Sequence, residues 1–121
     1  MMPYERLKAW EHAHELVLAV YRETRCWPAD ERFGLVAQVR RAAVSVPANL
    51  AEGSARFGSR ELRRFADIAL GSLAELACLL RLARDLGYSS AESATLLDAL
   101  RNQTGKLVMG LAQAAKRASA T

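Results

Sequence analysis

Apolar side chains recur at intervals of three and four residues along almost the whole chain, which is the period of one face of an α-helix. Four such stripes predict four amphipathic helices, and no segment shows the alternating pattern of a β-strand. The stripes are, in chain order, Leu7, Trp10, His14, Val17, Leu18 and Tyr21; Leu35, Val36, Val39, Ala43, Val46 and Leu50; Leu62, Phe65, Ala69, Leu73, Leu76, Leu80 and Ala83; and Leu97, Leu100, Thr104, Leu107, Leu111 and Ala114.

Proline, glycine and serine residues interrupt this pattern and mark the ends of the predicted helices. A glycine such as Gly87 is typical of a left-handed C-terminal cap, so the third helix is expected to end there. The sequence SSAE at residues 89–92 matches a capping box and indicates the start of the fourth helix. The predicted helices cover residues 5–25, residues 30–55, the stretch from the Gly58-Ser59 break to Gly87, and the stretch from the capping box toward the C-terminus.

The connections between these helices are short, and this limits how the helices can pack. Because a short loop reverses the chain, an antiparallel up-down-up-down four-helix bundle is expected. The chain of 121 residues suits one domain and suffices to bury about two-thirds of its unfolded surface. It contains no solenoid repeat, low-complexity tract or dividing linker. Residues 1–121 are therefore predicted to form a single all-α domain.

Pro47 lies in the middle of the second predicted helix, within the stretch RRAAVSVPANLAEG at residues 40–53. A proline there lacks the N–H donor and presses against the carbonyl of Ala43. It is therefore expected to kink the helix, with Ser45 or Asn49 as substitute partners for that carbonyl. Two interpretations follow: a tolerated proline that bends the helix around the core, or a bend on which the packing of its polar neighbours depends.

A polar stripe runs beside the apolar one on the second helix, and its members need partners if they are covered. The third helix offers two small residues for close backbone approach and a carboxylate one turn further on, which suits Arg41 or Asn49. A polar network is therefore predicted at a helix interface or between subunits. It consists of Gln38, Arg41, Ser45, Asn49 and Glu52 around Pro47, together with Gly71, Ser72 and Glu75.

Residue patterns that support catalysis are sparse. The two histidines are His12 and His14, and only Glu11 and His14 form a Glu-x-x-His pair. A di-iron bundle needs two such motifs and two further carboxylates, and no glycine-rich phosphate loop is present. His14 lies on the apolar stripe, which favours a core or interface histidine over a metal ligand. The chain is predicted to be a non-enzyme that uses no metal or cofactor.

The cellular compartment is constrained by what the chain lacks. No stretch reaches the roughly 18 to 20 apolar residues of a membrane span, and the first ten residues lack the apolar segment of a signal peptide. Cys26 and Cys78 show no CxxC or metal-ligand spacing, which favours reduced and partly buried thiols. A cytoplasmic protein without a membrane partner is expected.

Three segments carry a resemblance to a known family: LKAWEHAHELVLAVYRETRCWP (7–28), GLVAQVRRAAVSVPANLAEGSAR (34–56) and RFADIALGSLAELACLLRLARDLGY (64–88). They resemble the four-helix bundle family named for proteins encoded in 23S rRNA intervening sequences. The resemblance covers about residues 4–88. Its most specific parts are the RRAA-S-P-N-AEG and GSL-EL patterns, whereas the last helix resembles the family only in being amphipathic.

This resemblance implies a four-helix bundle, a ring-shaped homopentamer and a cytoplasmic bacterial protein. The family also includes the accessory proteins of diversity-generating retroelements, which are basic pentamers that work with a reverse transcriptase and nucleic acid. Most members have no assigned activity, so the resemblance implies a fold and an assembly rather than a reaction.

The chain carries 17 Lys and Arg against 13 Asp and Glu, a net charge of +4. In an antiparallel bundle this excess falls at one end, here named the basic end, where eight cations face Glu5, Glu52, Glu61 and Asp67. The cations of the basic end are Arg56, Arg60, Arg63, Arg64, Arg6, Lys8, Lys116 and Arg117. Elsewhere the charges cancel: Arg22, Arg25, Arg32, Arg81, Arg84 and Arg101 against Glu23, Asp30, Glu31, Asp85, Glu92 and Asp98, and Arg40, Arg41 and Lys106 against Glu11, Glu15 and Glu75.

Two functions are compatible with this charge distribution. A ring of five chains would present about +20 on one face, which attracts the phosphates of RNA or DNA, alone or in a nucleoprotein partner. Little base specificity is expected, because Phe57 is the only aromatic residue between Arg56 and Arg64. Alternatively, the oligomer is a protein-protein interaction scaffold, and its arginines keep it in solution or pair between subunits.

Self-association is also indicated by apolar residues that lie outside the predicted stripes. Four helices of this size need fewer apolar residues than the sequence provides, so the surplus is expected between subunits. The surplus residues include Leu16, Val20, Ile68, Leu70, Leu79 and Leu82.

Overall fold

The computed structural model describes residues 1–120 and is all-helical over that part of the chain. Its four α-helices confirm the all-α prediction, and no strand occurs among the described residues. They are α1 (Lys8–Thr24), α2 (Leu35–Ala55), α3 (Ser59–Asp85) and α4 (Ala91–Ser119). Two short 3₁₀ helices precede α1 and α2, at Pro3–Arg6 and Ala29–Glu31.

The starts of three helices differ from the sequence prediction by one to five residues. Leu7 is extended (φ −86°, ψ 120°), so the chain before it forms a separate 3₁₀ turn and α1 begins at Lys8. The second helix begins only after Gly34. At the start of α4 the capping serine is Ser90, whose Oγ accepts a hydrogen bond from the Ser93 amide at 3.1 Å. The predicted capping box is therefore wrong by one position.

Gly87 ends α3 as the sequence indicates. Its φ of +80° lies in the left-handed region that glycine adopts without a steric penalty. The Gly87 amide donates to the Arg84 carbonyl at 3.0 Å, and the Tyr88 amide donates to the Ala83 carbonyl at 2.9 Å. These two bonds form a Schellman motif, which satisfies carbonyls at the end of the helix.

Each long helix packs against two others, which is consistent with a bundle. The helices α1 and α3 both contact α2 and α4 but do not contact each other. The largest fully buried side chains come from all four helices, so one apolar core runs through the middle of the four. They are Leu16, Leu50, Leu76, Val20, Val39, Val46, Val108 and Thr104. No helix among residues 1–120 has the length and apolar character needed to cross a membrane.

The face that α1 turns to the core differs from the predicted stripe. Its buried residues are Ala9, Ala13, Leu16, Ala19, Val20 and Thr24. Leu16 and Val20 are completely buried within this chain, so their predicted place between subunits is wrong. His14 and Leu18, which the stripe placed in the core, are exposed. Apolar residues lie on more than one face of α1, so the three-four spacing alone does not identify the buried face.

Pro47 lies inside α2, which is a continuous α-helix from Leu35 to Ala55. The two polar neighbours that were expected to serve the Ala43 carbonyl bond elsewhere. Asn49 Nδ2 donates to the Ser45 carbonyl at 2.7 Å and contacts Ser45 Oγ at 3.0 Å. Ser45 Oγ in turn lies 2.7 Å from Ser72 Oγ on α3. These side chains therefore link α2 to α3 beside the proline.

Gly53 provides the close backbone approach between α2 and α3. It is buried, and an ideal Cβ on it would lie 2.8 Å from the Cβ of Phe65. The sequence placed this role at Gly71 and Ser72, but Gly71 is exposed and a Cβ there would meet no atom within 4 Å. The prediction is wrong for Gly71, because Gly71 and Ser72 point in different directions on the helix and only Ser72 faces α2.

Candidate nucleic-acid interface

The turn between α2 and α3 presents an aromatic ring between arginines. The helix α2 ends at Arg56, which is extended, and Gly58 reverses the chain with a φ of +89°. Phe57, between them, is 100% exposed. Arg60 follows in the first turn of α3 and is exposed.

Phe65 holds two of the arginines at the start of α3. Its ring is 5% exposed because Gly53 allows it to sit against α2. The guanidinium carbon of Arg56 lies 5.0 Å from the ring centroid, and that of Arg64 lies 5.1 Å from it. Both distances are within the range of cation–π attraction. The ring therefore brings Arg56, which follows α2, next to Arg64 of α3.

Three arginines of the basic end also pair with carboxylates one helical turn away, at 3.2 Å, 3.3 Å and 3.8 Å. All six side chains are at least 36% exposed, so each pair contributes little to stability and can exchange its carboxylate for another anion. The pairs are Arg56 with Glu52, Arg64 with Glu61, and Arg63 with Asp67.

The other five cations of the basic end are exposed and form no salt bridge within residues 1–120. They come from three places: the start of α3, the junction between the first 3₁₀ helix and α1, and the last turns of α4. They are Arg60, Arg6, Lys8, Lys116 and Arg117. No side-chain hydrogen bond or salt bridge among the described residues joins the three places to one another or to the Phe65 cluster.

The predicted polar network around Pro47 is present in part. Arg41 Nη2 lies 3.2 Å from Glu75 Oε2, and this bond joins α2 to α3 one turn before the Ser45–Ser72 bond. Glu52, however, pairs with Arg56 on its own helix. Gln38 is exposed and makes no side-chain hydrogen bond within residues 1–120.

The apolar stripe of the third helix predicts Phe65 only as a core residue and does not indicate its contacts with arginines. Its position directly after Arg64 was visible in the sequence, but the contact with Arg56 depends on how α2 and α3 meet. The close approach at Gly53, which fixes that geometry, has no signal in the local sequence pattern.

The histidines and cysteines lie outside this interface. His12 Nδ1 is 3.0 Å from the Lys8 carbonyl, and the exposed His14 ring stacks on Trp10 at 4.9 Å between centroids. Cys26 and Cys78 are both exposed, which corrects the expectation of partly buried thiols. Within the described part of the chain, no three His, Cys, Asp or Glu side chains form a group that could hold a metal ion.

Comparison with known proteins gives one family. The family model described as "23S rRNA-intervening sequence protein" matches residues 5–110, which includes most of α4 and so extends beyond the resemblance seen in the sequence. Among curated proteins no significant match was found. Because the family model covers well over half of the 121 residues, the chain belongs to the 23S rRNA-intervening sequence protein family.

Proposed function

We propose that this protein is a non-enzymatic, homopentameric bundle of the bacterial cytoplasm that binds RNA or DNA through its basic end. The observation that carries the proposal is the arginine cluster at the α2–α3 turn. Two guanidiniums rest on Phe65, Arg60 has no acidic partner among residues 1–120, and Phe57 is fully exposed. Cations arranged in this way neutralise phosphates without reading base sequence.

An antiparallel arrangement of the helices brings the basic end together. Three pairs of residues join α2 and α3: Gly53 with Phe65, Ser45 with Ser72, and Arg41 with Glu75. The residue number falls along α2 as it rises along α3. This opposite order supports antiparallel α2 and α3. With the remaining neighbours also antiparallel, the start of α1 and the end of α4 lie at the same end as the α2–α3 turn.

A bend in α2 at Pro47 belongs to the same proposal. The proline ring presses on the preceding turn, and the missing N–H removes one bond of the helical ladder. The Ser45–Ser72 bond lies two residues before it, and Asn49 lies two residues after it. We infer that the bend directs these polar groups toward α3.

Self-association is supported by an exposed stripe on α3. Its five residues follow the three-four spacing of one helix face, and all are exposed. Ile68 and Leu82 expose 42% and 48% of their surface, so the stripe has an apolar residue at each end. The α3 stripe consists of Ile68, Gly71, Glu75, Cys78 and Leu82.

Replacing both ends of the α3 stripe by aspartate is expected to dissociate the assembly. The wild-type protein should scatter light as five chains of 13.3 kDa, and the Ile68→Asp, Leu82→Asp double variant as a single chain with unchanged helical content. The control is Leu96→Asp on α4, where Leu96 is 58% exposed and lies off the stripe. A wild-type protein that remains a single chain at micromolar concentration would remove the self-association proposal.

The salt dependence of binding tests the basic end. Each cation that neutralises a phosphate adds roughly 0.7 to 0.9 to the slope of log affinity against log salt. Changing Arg60, Arg63 and Arg64 together to glutamine is therefore expected to reduce the slope by about 2 to 3 and to weaken binding to unrelated sequences alike. Fluorescence anisotropy with labelled RNA and DNA at several salt concentrations measures both quantities.

The control for this experiment removes the same charge elsewhere, with Arg22, Arg81 and Arg84 changed to glutamine. Two of these arginines already share Asp85, at 3.1 Å and 3.8 Å. This triple variant is expected to keep most of the affinity and the slope. Equal losses in the two triple variants, or no binding by the wild-type protein at about 50 mM salt, would contradict binding through the basic end.

The interaction scaffold is the second candidate function. It is favoured by the carboxylate partners that Arg56, Arg63 and Arg64 already have, because a paired arginine contributes less to an anion site. The ratio of absorbance at 260 nm to that at 280 nm distinguishes the scaffold from the nucleic-acid-binding protein. A scaffold should purify with an absorbance ratio typical of protein alone both before and after a high-salt wash, whereas a nucleic-acid-binding protein should lose absorbance at 260 nm in that wash.

A further inference from the structure

A groove on the opposite part of the molecule contains a second group of arginines. Two adjoining hollows of about 460 and 270 Å³ lie between α1 and α2, and Arg32, Val36 and Arg40 line both of them. The hollows therefore form one continuous surface, here named the α1–α2 groove. It is defined by Tyr21, Arg25, Arg32, Phe33, Val36 and Arg40.

Arg40 is held in a fixed orientation within this groove. Its Nε donates to Thr24 Oγ1 at 2.9 Å, while that hydroxyl donates to the Val20 carbonyl at 2.8 Å. The guanidinium also lies 4.4 Å from the centroid of the Tyr21 ring. Both contacts leave the terminal nitrogens of Arg40 without a hydrogen bond inside residues 1–120. The terminal nitrogens of this half-buried arginine are therefore available to donate hydrogen bonds to a bound anion.

Two carboxylates near these arginines, those of Glu31 and Glu23, bond to other donors. Glu31 accepts from the Leu35 amide at 3.2 Å and from the Tyr88 hydroxyl at 2.8 Å. The hydrogen bond from the Tyr88 hydroxyl to Glu31 raises the pKa of Tyr88, and loss of hydration and the nearby charges of Glu31 and Asp30 raise it further. Glu23 accepts from Trp27 Nε1 at 3.3 Å.

The arginines that define the α1–α2 groove are not paired with carboxylates in the described part of the chain. Among residues 1–120, none of Arg25, Arg32 and Arg40 forms a salt bridge, although the sequence count placed each of them in a group whose charges cancel. The carboxylates of Glu23 and Glu31 bond to neighbouring amide, indole and phenol donors, not to these arginines. Hydrogen bonds to neutral donors do not remove the charge of a carboxylate. However, the described side chains that line the groove include no Asp or Glu, and they do include Arg25, Arg32, Arg40 and Arg41, so the lining itself is cationic.

Phe33 adds an exposed aromatic ring to this cationic groove. It lies in the turn just before α2 and is 89% exposed, with the Arg32 guanidinium 5.4 Å from its ring centroid. An exposed ring next to cations combines the two elements of single-strand recognition, because bases stack on the ring while phosphates meet the cations. Bases in a duplex are stacked inside the helix and do not reach such a ring.

We propose that the α1–α2 groove binds single-stranded nucleic acid, with phosphates on Arg25, Arg32 and Arg40 and an unpaired base on Phe33. The inference rests on the nucleic-acid binding proposed above, since it assigns a second surface and a strand state to the same class of partner. The basic end holds phosphates of any nucleic acid, whereas this groove distinguishes single strands from duplexes.

The test compares oligothymidine of about 12 nucleotides with a mixed-sequence duplex of the same length by fluorescence anisotropy. Phe33→Ala is expected to weaken binding of the single strand by about 5- to 150-fold, which corresponds to the loss of one stacked base. Binding of the duplex should change less than twofold. The matched control is Leu96→Ala, which removes another exposed apolar side chain and should change neither affinity.

A second variant, Arg25→Gln with Arg32→Gln, tests the phosphate contacts and leaves Arg40 and its bond to Thr24 in place. The slope of log affinity against log salt for oligothymidine should fall by about 1.4, the single-strand value for two contacts. Unchanged oligothymidine binding by Phe33→Ala would overturn the proposal, as would equal losses for single strand and duplex. Preferential binding of polyglutamate, lost in the double arginine variant, would replace it with an acidic protein partner.

The outcomes also separate this groove from the basic end. If the triple variant at Arg60, Arg63 and Arg64 loses duplex binding while Phe33→Ala behaves as wild type, the groove proposal fails and the basic end stands. If Phe33→Ala selectively loses oligothymidine while the triple variant behaves as wild type, the basic end fails and the groove stands.

Discussion

Leu76→Ala is expected to lower the free energy of unfolding by about 2 to 5 kcal/mol, the cost of removing a buried leucine and leaving a cavity. Leu76 is completely buried in the middle of α3, and that helix packs against both α2 and α4. The surrounding backbone is helical on every side, so the site can collapse only partly around the missing methyl groups. Chemical denaturation followed by circular dichroism measures the loss.

The control for Leu76 is Leu96→Ala on α4. Leu96 is 58% exposed, so truncating it removes little buried surface and should change stability by at most about 0.5 kcal/mol. Both proteins must be measured at several concentrations, because the proposed self-association would stabilise the folded chain by mass action. Similar losses in the two variants would contradict the core position of Leu76.

Gly53→Val is expected to destabilise the protein by about 1 to 3 kcal/mol, because overpacking a tight helix contact forces backbone or rotamer shifts. Even the Cβ of the new side chain would lie 2.8 Å from the Cβ of Phe65 and 3.4 Å from Leu62 Cδ1. A Cβ close to another Cβ cannot be relieved by a simple rotamer change. The expected lower midpoint of denaturation should appear together with weaker nucleic-acid binding, since Phe65 carries Arg56 and Arg64.

The same substitution at Gly110 provides the control. Gly110 is exposed on α4, and a Cβ there meets no atom within 4 Å. Valine has a higher helix propensity than glycine, so Gly110→Val should leave stability unchanged or raise it by a few tenths of a kcal/mol. A Gly53 variant as stable as the Gly110 variant would show that α2 and α3 separate there without cost.

The sequence predicts the number of helices well because their periodicity is averaged over many residues. All predicted core residues of α2 are buried, which confirms that stripe. Those of α3 are buried too, except for Leu62, which is partly exposed. Helix α1 differs, because alanines form only half of its core face and Leu16, Val20 and Thr24 form the rest. Trp10 and Val17 are partly buried beside that face, and Leu18 is exposed. Since α1 has apolar residues on more than one face, the period alone does not select the face that packs against the core.

The candidate sites were less predictable, because they depend on contacts between residues far apart in the chain. The basic end was predicted from charge together with an antiparallel bundle, but the shared ring of Phe65 depends on the close approach at Gly53. The sequence did not indicate the α1–α2 groove, because the charge count placed its arginines in groups whose positive and negative charges cancel. Only the hydrogen bonds of Glu31 show that its carboxylate bonds to the Tyr88 hydroxyl and the Leu35 amide, and not to an arginine.

The Phe65 ring also has an entropic consequence for binding at the α2–α3 turn. A free arginine side chain carries about 2 kcal/mol of rotamer entropy, part of which is lost when it is immobilised against a ligand. Arg56 and Arg64 already rest on one ring in the unbound protein, 5.0 Å and 5.1 Å from its centroid. A phosphate that meets them therefore restricts less motion than one bound by mobile side chains, and such preorganisation slows dissociation more than it speeds association.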